Sequence, residues 1–596
     1  MPITVASMST GISRVYTCAM RFLRMLTNSL LAGALGAAYL TILVLQLNPQ
    51  VPLWSYSVLH WYATLGAFYG LHLALLFYVV MLLREMVSLD AFRPGWISVR
   101  LLAWLSAVAA AVAALLMWLN RQGLAAVFTE TDLRRLTIGA AATTASAVVL
   151  LGIAIAHYSF GRHGSRVGAA LLGIAITGSL ALPVAARGVG GALPLGGRRV
   201  SIATAPFSAA GPRVLLVALD GASLDYILPR AAEGRLPNFG RLLDRGAFFD
   251  LATIRPTQPD PVWAAAATGI YPSKNGVRSA ASYFARGDDR PVDLLPEHCF
   301  SHVLVHLGII RDQPNSSIAW RARPLWTILG DYGISSGIVR WPLTYPAEPI
   351  RGFLVTDRFH QLVGSMFEFD GRAAYPSELE PVVREAFNES GEPASDPLAI
   401  GVAAPEAAAA RRDRFYSHAL QSLAAERPVR FSTIRYQALD TIGHRYLRYV
   451  QPGSFENVSD EERQKYGGIL DRYYAYVDAE VGRAIEGLTP GDLLLVVSGF
   501  GMQPVDPLKH VLARITRQPD LSGTHDRAPD GFLFAYGTAV EPGRHQRGSI
   551  VDVAPTVLYY LGVPIGRDMD GYARADLFAK AFTVERPITF IPSHGR

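Results

Sequence analysis

The sequence predicts two architectures in one chain: an all-α transmembrane bundle of about five helices, then an α/β domain with a mostly parallel sheet and helices on both faces. Three observations carry this. Half of the 596 residues are hydrophobic and only 17% are charged. Mean hydropathy is +0.23, too apolar for an ordinary soluble protein. The early apolar residues gather in stretches of bilayer-spanning length, and after position 212 short apolar runs alternate with helix-like segments.

The spans are read at Asn28–Leu47, His60–Leu83, Leu101–Leu119, Thr137–His157 and Val167–Ala186. One such stretch alone could be a buried core helix; five in succession separated by short polar loops read as membrane, and a cleaved leader fits poorly. Arginines bias the orientation. Arg14, Arg21 and Arg24 precede the first span, Arg84, Arg93 and Arg100 fill the second loop, and Arg162 and Arg166 the fourth. The third loop dissents with Arg121, Arg134 and Arg135, offset by Glu130 and Asp132. The positive-inside rule then puts residues 1–26 in the cytoplasm and everything after the fifth span outside an inner or plasma membrane. No span has a central charge, so the bundle reads as an anchor in the lipid bilayer rather than a transporter. Residues 27–186 form this anchor, and 187–211 form a Gly/Ala/Pro-rich linker. The domain occupies 212–582 and a tail 583–596.

The net charge of +6 comes without a basic run or basic–aromatic array, which argues against nucleic acid. Two cysteines, Cys18 and Cys299, are too few and too distant for a disulfide framework or a thiolate metal site.

In the domain, the run Val214–Leu219 leads directly to Asp220 and Gly221. It reads as a strand buried on both faces, whose carboxyl end is where ligands gather. Gly221 allows a sharp turn there. Later runs are SSGIVRW, VRFSTIRYQALD, DLLLVVSGFG and GFLFAYG. The regions from about Ser279 to Arg323 and from His360 to Arg430 lack the rhythm and read as insertions shaping a cleft.

Asp440 and His444 form a D-x-x-x-H pair whose spacing puts both on one face of a helix. His525 lies in a polar loop before GFLFAYG. A carboxylate and two imidazoles make an ordinary zinc set with an open position. Singly, each is more often a hydrogen-bonding residue. Asp260 followed by Pro261 reads as a helix N-cap ahead of VWAAAAT. Asp506 and His510 read as a solvated loop. The sequons at Asn315, Asn388 and Asn457 suggest no function.

The ordered segments VALDGASLD, PNFGRLLDRGAFF, PVWAAAATGIYPSKNGV, RWPLTYPAEPIRGFLVTD, DTIGH, VVSGFGM, GTHDRAPDGFLFAYG and IVDVAPTVLYYLGVPIGRDMDG span Pro212 to about Leu577. This part resembles the alkaline phosphatase superfamily, within it the type I phosphodiesterase/nucleotide pyrophosphatase group. The resemblance implies an alkaline-phosphatase-like fold and a two-metal phosphoester site. One ion falls to Asp440, His444 and His525. The second would take Asp220, a Ser/Thr nucleophile and an Asp-His pair. That pair falls on Gly499 and Phe500, which bind no metal, and the nucleophile column falls on Pro259. One divalent site, zinc by ligand type, is therefore expected rather than two. Thr257, or a metal-bound water, would have to serve a single-metal hydrolysis. Two readings stay open: an extracytoplasmic metal-dependent phosphoester hydrolase or lipid-headgroup transferase, and a catalytically inactive metal-binding or scaffolding descendant, a pseudoenzyme.

Overall fold

The computed structural model describes residues 5–87, 96–160, 166–188, 211–299, 301–363, 372–390, 396–455, 458–515, 518 and 520–595. The expected linker, apart from its two ends, and Asn457 lie outside the described residues. The chain divides into two compact units. One comprises Met1–Leu195 with Ala281–Gln313; the other comprises Gly196–Ala280 with Pro314–Arg596.

The first unit contains α1 (Val5–Leu47), α2 (Tyr56–Leu65), a π turn at Gly66–Gly70, α3 (Leu71–Val87), α4 (Val99–Gly123), α5 (Glu130–Phe160) and α6 (Arg166–Arg187). Among the described residues, five spans are long and apolar enough to cross a membrane: Ala19–Leu47, Tyr56–Met86, Val99–Gly123, Glu130–Ala156 and Arg166–Arg187. Small side chains let the helices approach closely. Ala103, Ala107, Ala110 and Ala113 of α4 share a buried cluster with Ala147 and Ala154 of α5. At the end of α6, buried Arg187 donates to the carbonyls of Leu45 (2.6 Å), Asn48 (3.1 Å) and Pro49 (3.2 Å). It thereby satisfies acceptors that the C-terminus of α1 leaves open.

The segment Ala281–Gln313, expected to shape a cleft in the second domain, groups with the helical unit. Its reason is local. The Asn48 side chain, just past α1, donates to Leu294 O (2.7 Å) and accepts from the amides of Asp293 (2.9 Å) and Leu294 (3.0 Å). Asn120 Oδ1 of α4 accepts from Glu297 N at 2.8 Å. Tyr283, Val292, Leu295, Leu304 and Ile310 pack with Val44, Val51, Trp61 and Leu65. Cys299 is a buried free thiol in this segment.

The second unit is built on a ten-stranded sheet. Its strands are β1 (Val214–Leu219), β2 (Ala247–Ala252), β3 (Ser336–Val339), β4 (Gly352–Val355), β5 (Ala374–Tyr375), β6 (Phe431–Tyr436), β7 (Leu493–Phe500), β8 (Asp530–Tyr536), β9 (Gly543–Arg544) and β10 (Gly548–Ser549). The spatial order is β9-β2-β8-β7-β1-β6-β3-β4-β5, with β10 beside β2. Strands β7, β1, β6, β3 and β4 are mutually parallel. β8 runs antiparallel to both β7 and β2. All eight residues of β7 are buried, which is why an uninterrupted apolar run and not an alternating one encodes it. Four helices frame the site: α7 (Pro259–Thr268), α8 (Ala404–Glu426), α9 (Ala438–Val450) and α10 (Gly468–Glu486). The expected tail is tied in, since Phe590–Ile591 pairs in parallel with Ile565–Gly566.

Topology decides where the candidate residues meet. Asp220 follows β1, Asp357 follows β4, Asp440 lies just beyond β6, and Phe500 ends β7. Because β8 is antiparallel and pairs Asp530 with Phe500, the loop before it, with His525, reaches the same carboxyl edge. Thr257, after β2, arrives there as well.

Candidate metal centre

Asp440 and His444 stand one turn apart on α9. The start of that helix is held from outside. Asp413 of α8 accepts from the amides of Gln437 (3.2 Å) and Ala438 (3.0 Å), two of the donors a helix N-terminus leaves free. Asp413 is fully buried and ion-paired with buried Arg340. Arg340 also donates to Gln437 Oε1 at 3.3 Å, and its own backbone is left-handed at φ 59. A non-glycine residue holds that conformation only where its surroundings over-determine it. On the other side, Gly221 turns at φ 68, and a Cβ there would sit 2.9 Å from Asp440 Cα. Glycine thus allows β1 to reach α9.

Ligand atoms of Asp440, His444 and His525 all lie within 4.8 Å of one another. His444 Nε2 is 3.5 Å from Asp440 Oδ2, and His525 Nε2 is 3.8 Å from Oδ1. Each ring is fixed through its other nitrogen. His444 Nδ1 donates to Gly523 O (2.8 Å) and His525 Nδ1 to Thr257 O (2.9 Å). A carbonyl can only accept, so both Nε2 lone pairs point inward, the outer hydrogen bonding usual for metal-binding imidazoles. Among the described residues, Asp440 Oδ1 is buried without a hydrogen-bond partner. An unsatisfied buried carboxylate oxygen is costly unless a cation completes it. Zinc bonds of about 2.0–2.2 Å span ligand pairs roughly 3.3 Å apart, slightly inside these separations. The donor set fits one divalent ion. Burial raises the Asp440 pKa, but His444 and His525 outweigh it and hold the carboxylate below its usual range. Burial lowers His444 and Asp440 more than restores it, so its pKa is raised.

Asp220 lies outside this group. Its Oδ1 accepts from Trp263 Nε1 (2.6 Å) and Arg435 Nε (3.1 Å), and its Oδ2 from Arg435 Nε (3.0 Å) and a terminal guanidinium nitrogen. Both partners are buried. Arg435 stands beside Ala218 in the β1–β6 register. Burial disfavours its charge, but Asp220, Asp260 and Asp357 together raise its pKa. The signal for Arg435 is a lone charge near the end of an apolar strand; what it pairs with depends on register.

Gly499 and Phe500 do not merely lack ligand atoms. A Cβ on Gly499 would sit 2.4 Å from Val262 Cγ1 of α7. Phe500 is fully buried with its ring centroid 5.0 Å from that of His525. Helix α7 begins at Pro259, with Gln258 at the N-cap. The expected Asp260 cap is therefore corrected by two positions, and Asp260 sits in the first turn, where proline is equally tolerated. Burial pushes the Asp260 carboxyl up to about 7, with Arg435 opposing and Asp357 adding to the shift. Thr257 is 1% exposed, and its Oγ1 has no hydrogen-bond partner among the described residues. Lys509, missed in the sequence, donates to Thr524 Oγ1 at 2.8 Å and pairs with Asp526 beside His525. Asp506 accepts from the Lys509 amide at 2.9 Å.

The family described as type I phosphodiesterase / nucleotide pyrophosphatase matches residues 214–557. A comparison with curated proteins finds no match. Among solved structures, murine ectonucleotide pyrophosphatase / phosphodiesterase 5 is 13% identical. The alignment covers 62% of this chain and 100% of that one, with a TM-score of 0.35. The human protein of that name gives 14% identity, the same coverage of both chains (62% and 100%) and a TM-score of 0.36. An inactive form of the murine protein in complex with AMP gives 12% identity over 62% of this chain and 100% of its own, with a TM-score of 0.35.

Proposed function

This chain belongs to the type I phosphodiesterase / nucleotide pyrophosphatase family, and from that premise we propose that it is a membrane-anchored phosphoester hydrolase or headgroup transferase working with one divalent ion. The observation that carries the reading is the buried, unpartnered Oδ1 of Asp440, faced by two imidazoles already oriented through Nδ1. Asp440, His444 and His525 would hold the ion, zinc by ligand type. When bound, such an ion polarises a phosphoryl oxygen and offsets the charge that develops on it.

The chain's own residues supply the rest. The carbonyl of Thr257 is bonded to His525, which brings the Thr257 hydroxyl to the border of the site. With no hydrogen-bond partner, that hydroxyl is the candidate nucleophile. The N-terminal turn of α7 follows directly; Pro259 and Pro261 carry no N–H and Val262 N is bonded to Gln258 O (3.3 Å), so the Asp260 amide is the donor this turn would offer a phosphate oxygen. Phe500 and Trp263 exclude water along one wall, where both are fully buried.

The five spans serve as the anchor. Asn28 Oδ1 accepts from Ser98 N at 2.8 Å, and Arg21 pairs with Glu85. These contacts gather the start of the first span within α1, the start of α4 and the end of α3 at one end of the bundle, with Arg21, Arg24, Arg84 and Arg100. The positive-inside rule turns that end to the cytoplasm. The opposite end, with Asn48, Asn120 and Arg187, would then be extracytoplasmic.

Purified full-length protein supplied with Zn²⁺ or Mn²⁺ should cleave an aryl phosphodiester and lose that activity on His444→Ala. Absence of turnover on phosphomonoesters and phosphodiesters with every divalent ion would remove the reading. A second reading, a binding descendant without turnover, is favoured by Pro259, Gly499 and Phe500. It expects one tightly held ion with no hydrolysis and no covalent phospho-enzyme.

A further inference from the structure

The family resemblance calls for a second cation beside the first, and the residues present do not fit one. Two of its protein ligands are Gly499 and Phe500, and α7 has closed over the former so that not even a Cβ fits. The remaining ligand, Asp220, is fully buried, and among the described residues its carboxylate hydrogen bonds come from N–H donors of Trp263 and Arg435. A carboxylate saturated by donors has no lone pair aimed at an open position, and a dication beside a buried guanidinium would meet direct repulsion.

We propose that the Arg435 guanidinium is the resident cation of this second pocket, covalently supplied by β6 in place of an exchangeable metal ion. This rests on the single-ion reading above and extends it. Three carboxylates, Asp220, Asp260 and Asp357, act on the one guanidinium. Asp357 is itself bonded through Thr344, whose hydroxyl donates to Oδ1 at 3.2 Å. The arrangement is that of a hard-cation pocket of acidic oxygens, with a planar bidentate cation filling it. Its consequence for phosphoester chemistry is a fixed positive charge at the carboxyl edge of β6, present whatever the metal supply. That charge cannot activate an attacking oxygen as a metal does, but it keeps Asp220 from repelling an anionic substrate.

The test counts ions in the full-length protein. The unaltered chain should hold one zinc and take up no second ion in millimolar Mn²⁺. Arg435→Met, which removes the charge but keeps much of the volume, should gain one Mn²⁺ per chain and a Mn²⁺-dependent rise in Tm. Asp220→Asn together with Arg435→Met should return to one ion. Two fully occupied ions in the unaltered chain would overturn the proposal, as would folded Arg435→Met that gains none. If Arg435→Met folds poorly without metal, recovery in Mn²⁺ supports the proposal. Failure to recover, while the double variant folds well, overturns it. Repeating the count on a His444→Ala background separates the two sites. There Arg435→Met should go from no ion to one, so loss of the Asp440–His444–His525 site and failure of the Arg435 pocket give different numbers.

Discussion

At one point on the carboxyl edge of the sheet, Asp440, His444 and His525 aim their ligand atoms at a common centre. At a neighbouring point, Asp220 spends both oxygens on Trp263 and Arg435. Both carboxylates are buried and both follow parallel strands. They differ in what surrounds them. The first pocket is kept open by bonds that face away from it: histidine Nδ1 atoms on backbone carbonyls, and Asp413 on the amides that start α9. The second has no such frame, and a side chain from the adjacent strand and the flank of α7 have moved in. Residue identity at the ligand positions is thus only part of what makes a pocket; the groups that orient those residues decide whether it stays receptive.

The strongest way to break this comparison is at the ligands. Asp440→Asn should lose the bound ion and the ion-dependent turnover while the fold persists, checked by elemental analysis and circular dichroism. Retention of the ion would mean that the first pocket is not what holds it. Next in size is the outer frame. Asp413→Ala strips the α9 amides and leaves Arg340 buried and unpaired, which should cost about 3–5 kcal/mol in thermal or denaturant unfolding. Replacing Arg340 by Met in the same chain should recover part of that loss.

Smaller again is an attempt to rebuild the second pocket. Gly499→Asp with Phe500→His should destabilise by about 1–3 kcal/mol, because the new Cβ meets Val262. It should add no second ion while Arg435 remains. The smallest effect concerns pH. Asp260 has a folded-state pKa of about 7, against about 3.9 for an unfolded chain. A raised carboxyl binds its proton more tightly when folded, so its contribution to stability is complete below about pH 4 and fades as the pH climbs to 7. Asp260→Asn should flatten that slope and raise stability at pH 8, read from thermal unfolding at pH 4 and pH 8. An unchanged slope would show that Asp260 already ionises freely.

Much of this was legible in the sequence. The five spans show as apolar length, and the parallel strands show as unbroken apolar runs ending in polar residues. The i, i+4 spacing of Asp440 and His444 and the polar loop of His525 suggest ligands by residue type alone. The rest depends on register and on partners distant in the chain. Arg435 is visible as a charge in an apolar strand, but only its place beside Ala218 brings it to Asp220. Asp413 sits in an alanine-rich helix with nothing nearby to mark it as a support for α9. The segment Ala281–Gln313 lacks periodicity because its order comes from side chains of another region, Asn48 and Asn120 among them. The start of α7 differs by two residues because Pro259 and Pro261 are both compatible with a first helical turn.

That borrowed order matters for anyone cutting the molecule in two. A chain started at Pro212 would keep Tyr283, Val292, Leu295, Leu304 and Ile310 but lose Val44, Val51, Trp61 and Leu65, against which they pack. The severed fragment would display a sticky apolar flap with no hydrocarbon to rest on, and would aggregate through it. Removing residues 281–313 along with the bundle is the cut that follows the molecule's own seams.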